Sequence, residues 1–289
     1  MTMTDYELIR YDVADKVARI TLDDPTSRNA LSTSLRRELV AAINRAERDD
    51  DVSVILLAGA GPVFCSGYDL RGYSPPEGGY ISAQMFDRWT DQYARNCVKD
   101  WLTIWDCLKP VVCKVHGACL AGGTEVMSMC DIVFVADDAR IGYPPTREMS
   151  SPDTGYFPWK MGMAHAKYMQ LTGSTISGKQ AADWGWVAKS FAADDFDAEV
   201  EKEVAALATI PVDMLAANKG SLNQAYEMMG FKNSLMMAIH WHTASAWNRP
   251  NAGNFGKIAA EKGIKGYIAW RDEKWTDIDY RPGKDGKPV

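Results

Sequence analysis

The chain has 289 residues, of which 46% are hydrophobic and 24% charged, and its formal net charge is −6. This composition fits one large domain, or a core with an appendage. The negative charge argues against a broad nucleic-acid surface, which would be basic. No apolar run approaches the roughly 18 residues that a membrane helix needs, and the N-terminus lacks the apolar stretch of a signal peptide. We therefore expect neither nucleic-acid nor membrane partners and a cytoplasmic location.

The cysteines show no pairing pattern. None forms a CxxC pair, and no histidine pair has the spacing of zinc ligands. The sequence therefore predicts no metal site and reduced, mostly buried thiols. The six are Cys65, Cys97, Cys107, Cys113, Cys119 and Cys130.

The first two thirds of the chain alternate between strand and helix patterns. Two short strands are predicted around a turn at 14–16, and a helix with apolar residues at helical spacing begins after Ser32. Three continuous apolar runs are typical of strands buried on both faces. This alternation predicts an α/β protein with a largely parallel sheet. The predicted strands are Tyr6–Tyr11, Val17–Leu22, Val52–Ala58, Val111–His116 and Ile132–Ala136.

Several aromatic residues follow a Gly- and Pro-rich stretch, Gly72–Tyr80, which is predicted to be a surface loop. Their helical spacing indicates a core-facing stripe, and the alternative is that some of the rings line a ligand pocket. The stripe contains Phe86, Trp89, Tyr93, Val98, Trp101, Leu102 and Trp105.

The pattern changes near residue 195. Before it, a helix over Met161–Leu171 should end at Gly173, Ser177–Gln180 has the form of a capping box, and Val187–Ser190 is a short predicted strand. After Asp195 the pattern is helical throughout. We therefore predict a core over 1–195 and a helical region over 196–289.

Two glycine-containing loops, Gly61–Leu70 and Gly117–Val126, each follow a predicted buried strand. Gly67 allows a sharp turn in the first, and Gly122 and Gly123 lie where a helix should begin in the second. Free N–H groups and the positive end of a helix dipole suit a developing oxyanion. Neither loop matches a mononucleotide-binding motif.

Together the two loops resemble those of the crotonase (enoyl-CoA hydratase/isomerase) superfamily. Other segments match that superfamily in the same order and at similar spacing, over roughly residues 5–270. The matching segments are Ser27–Leu31, Phe64–Leu70, Lys109–Gly117 leading into Ala121–Glu125, Cys130–Asp131, and Leu171–Gly173 with Ala181–Val187.

The resemblance implies a spiral of ββα units with a helical C-terminal region that oligomerises, as a homotrimer or homohexamer. It implies that the N–H groups of Tyr68 and Gly122 form an oxyanion hole for a thioester carbonyl. Coenzyme A would enter as part of the substrate, with no further cofactor. Its contacts would come from the backbone around Ala30 and around 66–70 (Ser66, Asp69 and Leu70), and Arg28 is a candidate phosphate contact.

The resemblance also assigns candidate acids. Glu125 matches one of the two catalytic glutamates of enoyl-CoA hydratases, although a glutamate in a first helical turn is also favourable on electrostatic grounds. Pro145 occupies the place of the second glutamate and cannot move a proton. Asp153 aligns with a loop acid of dienoyl-CoA isomerases and of a dehalogenating branch, and a turn residue is the alternative. Glu148 is a weaker candidate.

The main hypothesis is an acyl-CoA-processing enzyme that stabilises a thioester enolate, as a hydratase-type lyase, with Glu125 and Asp153 as an acid–base pair. Pro145 and Asp153 favour a second hypothesis, a double-bond isomerase or an acyl-CoA hydrolase. A third is a non-catalytic CoA- or RNA-binding scaffold. His116 is predicted to be a buried core residue, and His242 has no partner that the sequence identifies.

Overall fold

The computed structural model of the protein describes residues 6–70 and 91–282. The predicted loop Gly72–Tyr80 and the rings of Phe86 and Trp89 lie outside the described residues. The described strands are β1 (Ile9–Ala14), β2 (Val17–Leu22), β3 (Val54–Gly59), β4 (Val111–Val115), β5 (Ala118–Leu120), β6 (Ile132–Ala136), β7 (Arg140–Gly142), β8 (Thr175–Ser177) and β9 (Lys189–Phe191).

Helices connect these strands and then continue alone to the end of the described chain. The α-helices are α1 (Thr33–Glu47), α2 (Gln92–Asp106), α3 (Gly122–Met129), α4 (Phe157–Lys160), α5 (Met163–Thr172), α6 (Gly178–Asp183), α7 (Phe196–Leu207), α8 (Val212–Met228), α9 (Phe231–Trp247) and α10 (Asn254–Asp272). Short 3₁₀ helices cover Pro25–Ser27, Pro144–Arg147 and Glu273–Trp275. No helix in the described ranges is both long and apolar enough to cross a membrane.

The main sheet has the order β1-β2-β3-β4-β6-β9 among the described strands. Its first pair is antiparallel and the other pairs are parallel. Residues 54–57 of β3 and 111–113 of β4 are buried, as expected for strands covered on both faces. The predicted α/β fold with a largely parallel sheet and a helical C-terminal region is confirmed.

Strand boundaries show where local patterns fail. The first strand was predicted over Tyr6–Tyr11, but it begins at Ile9 and runs to Ala14. The cause is the turn: Asp15 and Lys16 have φ values of 52° and 63°, and this two-residue turn fixes the pairing of Ala14 with Val17.

A second sheet, β5-β7-β8, is absent from the sequence prediction. Each of its strands has only three residues, too few for a periodic pattern to be recognised. This sheet matters for the site because β5 leads directly into the second glycine loop.

Helix ends agree with their capping signals. Ser32 caps α1 by accepting a hydrogen bond from the Leu35 N–H, and Ser177 caps α6 by accepting one from the Gln180 N–H. Gly173 ends α5 in the left-handed conformation, with φ 62°. The division into 1–195 and 196–289 stays a prediction.

A network of buried ion pairs holds the last described segment of the chain against the core. The Arg147 guanidinium contacts Asp272 at 3.0 Å and Asp279 at 2.6 Å. It also lies 4.3 Å from the centre of the Trp275 ring. The side chains of Arg147 and Asp279 are 4% and 0% exposed. Because both charges have lost their hydration, each is stabilised mainly by the other.

The polar and sulfur groups of the core agree only in part with expectation. All six cysteines are buried free thiols. The prediction for His116 was wrong: it is only half-buried, and its Nε2 lies 2.8 Å from the Gly61 carbonyl oxygen. It lies at the end of β4, where the chain leaves the sheet.

Candidate active site

The first glycine loop is held in place by a buried asparagine. The Asn29 side-chain amide donates to the carbonyls of Ala60, Val63 and Phe64 at 2.9–3.1 Å. Asn29 is 0% exposed and adopts φ 54°, a left-handed conformation that asparagine tolerates. This contact makes the Ser27–Leu31 segment the support of the loop that carries Tyr68.

The Tyr68 amide faces away from the chain segment that supports it. Leu31 bridges Tyr68 as a parallel neighbour. The Gly67 carbonyl accepts from Leu31 N–H at 2.8 Å, and Asp69 N–H donates to the Leu31 carbonyl at 3.5 Å. Since successive backbone groups of an extended chain point to opposite sides, the Tyr68 N–H points to the other edge. It has no hydrogen-bond partner among the described residues.

The second loop begins at a backbone outlier. Ala121 has φ 50° and ψ −125°, a region that is costly for a residue with a Cβ and is often found at functional sites. Its N–H donates to the Gly142 carbonyl on β7 at 2.9 Å. α3 then begins at Gly122, whose N–H is free of partners within the described chain.

The two loops are in contact. A methyl group placed on Gly67 would come within 3.5 Å of the Gly122 nitrogen. One placed on Gly122 would come within 2.8 Å of Cε2 and 2.9 Å of Cζ of Tyr68. The amides of Tyr68 and Gly122 therefore belong to one small region, and the Tyr68 ring covers Gly122.

Glu125 lies one turn into α3 and is 0% exposed. Its Oε2 lies 2.7 Å from the Tyr68 hydroxyl oxygen, within hydrogen-bonding distance, and its Oε1 accepts a hydrogen bond from the Asp153 N–H at 3.0 Å. Burial and the nearby charge of Asp153 raise the pKa of Glu125 to about 8. At neutral pH this carboxyl group holds a proton.

Asp153 does more than form a turn. It is 1% exposed, and its Oδ1 lies 2.7 Å from Nε2 of His242 on α9. Its Oδ2 is buried with no hydrogen-bond partner among the described residues. An unpartnered buried carboxylate oxygen is costly, and such atoms are candidates for contact with a ligand or with substrate water.

A second carboxylate completes this cluster. The Nδ1 of His242 lies 2.7 Å from Oδ2 of Asp91, the residue that caps α2. Burial alone would lower the pKa of His242, but the charges and hydrogen bonds of Asp153 and Asp91 raise it to about 10. His242 is therefore an imidazolium at neutral pH, and each of its ring nitrogens donates to one aspartate.

A cavity of about 940 Å³ opens beside these groups. Tyr68, Asp153 and His242 line it, and Glu125 is not among its lining residues. Pro145, in the 3₁₀ helix Pro144–Arg147, lies on the wall. A proline thus occupies the cavity wall at the position where the family resemblance places a second glutamate.

Most of the predicted coenzyme A contacts lie at the same cavity. Arg28, Ser66, Asp69 and Leu70 line it. Ala30 does not, and its N–H donates to the Ser27 hydroxyl at 3.2 Å. The binding roles of these five residues stay predictions.

The structure brings together Tyr68, Gly122, Glu125 and Asp153, and it adds two residues that the sequence did not indicate. Asp91 and His242 were missed because Asp91 caps α2 and His242 lies in α9, both far along the chain from Asp153. The Glu148 carboxylate instead contacts Arg249 and Asn254, at 3.3 Å and 2.9 Å.

The aromatic stripe fits both of its predicted roles in part. Tyr93 lines the cavity, and Trp101 is fully buried in the core.

Comparison with known proteins gives consistent matches along the chain. The family model described as enoyl-CoA hydratase/isomerase matches residues 12–277. A peroxisomal Delta(3,5)-Delta(2,4)-dienoyl-CoA isomerase of Arabidopsis thaliana is 34% identical over 201 residues, covering 66% of this chain and 72% of the relative.

Solved structures show the same relationship. An enoyl-CoA hydratase from Mycobacterium smegmatis superposes with a TM-score of 0.85 at 34% identity, covering 95% of this chain and 96% of its own. An enoyl-CoA hydratase/isomerase from Xanthobacter autotrophicus Py2 gives 0.84 at 30% identity, covering 93% and 99%. The chain belongs to the enoyl-CoA hydratase/isomerase family of acyl-CoA-processing enzymes.

Proposed function

We propose that this enzyme adds water to, or removes it from, the α,β double bond of an enoyl-CoA thioester. The proposal is carried by Asp153, which lines the cavity and whose buried Oδ2 has no hydrogen-bond partner among the described residues. The amides of Tyr68 and Gly122, also unpartnered there, lie in the two adjoining loops. Attack of water at the β-carbon produces an enolate, and two aimed amides stabilise its oxygen. Loss of one such donor in other enzymes costs about 2.7–4 kcal/mol.

The two carboxyl groups differ in the way that acid–base chemistry requires. Glu125 is protonated at neutral pH because burial and Asp153 raise its pKa. Asp153 is paired with the His242 imidazolium and keeps one oxygen free. We assign Asp153 as the base that takes a proton from water and Glu125 as the source of the proton for the α-carbon.

Isomerisation of a double bond is the second candidate. Pro145 on the cavity wall favours it, because the proton-moving glutamate of ordinary hydratases is missing at that point. The matched Arabidopsis relative is a dienoyl-CoA isomerase. The same base and acid would then move a proton between two carbons with no change in composition.

Product mass distinguishes the candidates. The enzyme is incubated with a panel of enoyl-, dienoyl- and aryl-CoA esters. A product heavier by one water identifies hydration, an unchanged mass with a new retention time identifies isomerisation, and free coenzyme A identifies hydrolysis. Replacement of the base in Asp153→Asn should lower kcat by about 10²–10⁴-fold, whereas Asp194→Asn at an exposed position serves as the control. A near-wild-type rate for Asp153→Asn would exclude the assigned base.

A further inference from the structure

We infer that the side chain of Tyr68 is itself a catalytic residue, whose hydroxyl passes a proton from the buried Glu125 to the α-carbon of the substrate. This role is separate from that of the Tyr68 main-chain amide. It rests on the proposed function above, because it specifies how the acid of that reaction reaches the substrate.

Glu125 needs an intermediary. Its side chain is fully buried, and the cavity is lined by Tyr68 and Asp153 instead. Both carboxyl oxygens of Glu125 are already engaged, by the Tyr68 hydroxyl and by the Asp153 N–H, and the Tyr143 side chain is a further hydrogen-bond partner. A proton held by Glu125 can therefore leave toward the cavity only through a side chain that contacts both. Tyr68 and Tyr143 each hydrogen-bond Glu125 and each line the cavity, and the further contacts of the Tyr68 hydroxyl favour Tyr68.

The donors and acceptors around the Tyr68 hydroxyl indicate the direction of proton transfer. When Glu125 is protonated, its Oε1 accepts from the Asp153 N–H, so the proton belongs on Oε2 and is donated to the Tyr68 oxygen, 2.7 Å away. The Trp101 Nε1–H also donates to this oxygen, at 3.2 Å. A phenol oxygen that accepts two hydrogen bonds must direct its own O–H elsewhere.

Two acceptors are available for that O–H. One is the buried sulfur of Cys97, which lies within hydrogen-bonding reach of Tyr68 but is a weak acceptor and already receives a hydrogen bond from Arg36 at 2.9 Å. The other is the substrate in the cavity. A bound enolate is the better proton acceptor of the two.

The Tyr68 side chain is held in its neutral, protonated form. Burial raises the pKa of Tyr68 well above its usual value, and its proximity to the acidic groups of Asp153, Cys97 and Glu125 raises the pKa further. Tyr68 therefore stays protonated at neutral pH. A free tyrosinate would be unfavourable there, so proton loss to the substrate must be accompanied by proton gain from Glu125.

The ring is also in the right place. Its Cζ, which bears the hydroxyl, lies over Gly122, close enough that a Cβ on Gly122 would be 2.9 Å away. The α-carbon of a thioester is the neighbour of the carbonyl carbon. A carbonyl oxygen held by the Gly122 amide therefore places the α-carbon beside the Tyr68 ring.

The complete step balances. Asp153 takes a proton from water as the water oxygen bonds to the β-carbon, and the π electrons form the enolate. The Tyr68 hydroxyl proton then bonds to the α-carbon, and the Glu125 proton moves to the Tyr68 oxygen. Glu125 ends as a carboxylate and Asp153 as an acid. After product release, solvent removes the Asp153 proton and returns one to Glu125 through Tyr68.

The test compares Tyr68→Phe, which keeps the ring and the main-chain amide, with Tyr143→Phe, which removes the other phenol that hydrogen-bonds Glu125. The control is Tyr168→Phe, at a phenol that is 41% exposed and does not line the cavity. On a thioester that the wild type turns over, we expect kcat of Tyr68→Phe to fall about 10²–10³-fold with KM changed only a few-fold. Deuterium incorporation at the α-carbon in D₂O should fall in parallel. Tyr168→Phe should stay within a few-fold of wild type, and a loss confined to Tyr143→Phe would overturn the assignment to Tyr68.

An infrared measurement on the free enzyme needs no substrate. The carboxylic acid band that Glu125→Gln removes should shift in Tyr68→Phe, because its hydrogen-bond partner is lost. An unshifted band, or a wild-type kcat for Tyr68→Phe, overturns the relay. Failure of the wild type on every thioester would instead count against the proposed function, and the infrared measurement would still test the hydrogen bond on which the relay depends.

If Tyr68→Phe does not fold, 3-fluorotyrosine at position 68 replaces it. The relay predicts that kcat follows the acidity of the phenol, and an unchanged kcat overturns it.

Discussion

The Nε2 of His242 lies 2.7 Å from Oδ1 of Asp153, and this contact connects the C-terminal helices to the candidate active site. His242 belongs to α9, while Asp153 lies between strands β7 and β8 in a segment without regular structure. Asp91 holds the other nitrogen of the ring at 2.7 Å. The orientation of the proposed base is therefore set by two helices distant in sequence.

Replacement of His242 should impair both activity and stability. In His242→Gln the imidazolium is lost, and two buried aspartates lose their cationic partner. Breaking a buried ion pair typically costs about 3–5 kcal/mol, and we expect at least a tenfold lower kcat because Asp153 loses its fixed orientation. Urea unfolding and steady-state kinetics measure these effects. His240→Gln, exposed on the same helix, is the control; equal behaviour of the two variants would contradict this role.

Stability should decrease as the pH rises above neutrality. His242 has its pKa raised from 6.5 to about 10, mainly by Asp153 and Asp91 against the effect of burial. A group whose pKa is raised on folding stabilises the protein fully below its unfolded pKa, and this stabilisation is lost as the pH rises through the folded pKa. The free energy of unfolding should thus fall between about pH 6.5 and pH 10. Chemical unfolding across this range should show a flatter profile for His242→Gln than for the wild type.

The rate should depend on the protonation of Glu125. Burial and Asp153 raise the pKa of this carboxyl group to about 8, so the acid form that donates a proton disappears as the pH rises through that value. We expect the wild-type kcat to decline above about pH 8. Glu125→Gln should lower kcat by about 10²-fold or more and abolish that decline. A basic limb that persists in Glu125→Gln would assign the titration to another group.

A methyl group at residue 122 should disturb the site without removing the amide. In Gly122→Ala the new Cβ would lie 2.8 Å from Tyr68 Cε2 and 3.0 Å from Leu31 Cδ1, so the Tyr68 ring must move. Overpacking of this kind costs about 1–3 kcal/mol, and we expect kcat to fall by more than tenfold. Gly220→Ala in α8 is the control, since its Cβ meets nothing within 4 Å. Thermal unfolding and kinetics are measured for both, and an active Gly122→Ala enzyme would argue against a fixed Tyr68 ring.

Arg147 should be needed for the attachment of the chain's last described segment. Arg147→Met keeps the length of the side chain but leaves Asp272 and Asp279 without their shared cation. We expect a loss of about 3–5 kcal/mol and faster proteolysis near residues 272–280. Arg10→Met is the control, because Arg10 is paired with Asp23 at the surface, where its side chain is 65% exposed. Equal stability of the two variants would contradict the role of the network.

The sequence by itself determined the strand and helix pattern and the two loops of the site. Strand β3 is recognisable as a continuous apolar run. The turn and helix-cap conformations at Gly67, Gly122 and the capping residues depend only on a few neighbouring residues, so the local sequence indicates them. A main-chain amide needs only a local turn to be left free, so the sequence and the family resemblance could indicate the amides of Tyr68 and Gly122, whose role as donors to substrate stays a prediction. The three-residue strands of the second sheet were not, because they are too short to show a period.

Only the tertiary structure decided which side chains meet. It placed His242 between Asp91 and Asp153, and it directed the Tyr68 ring across Gly122 toward Glu125. The local sequence around His242 indicates a histidine on a helix with apolar neighbours, and it does not predict a contact with Asp153, about ninety residues earlier in the chain. The physical reason is that burial follows from local periodicity, whereas ion pairs and shared protons depend on distances between segments, which only the folded packing fixes.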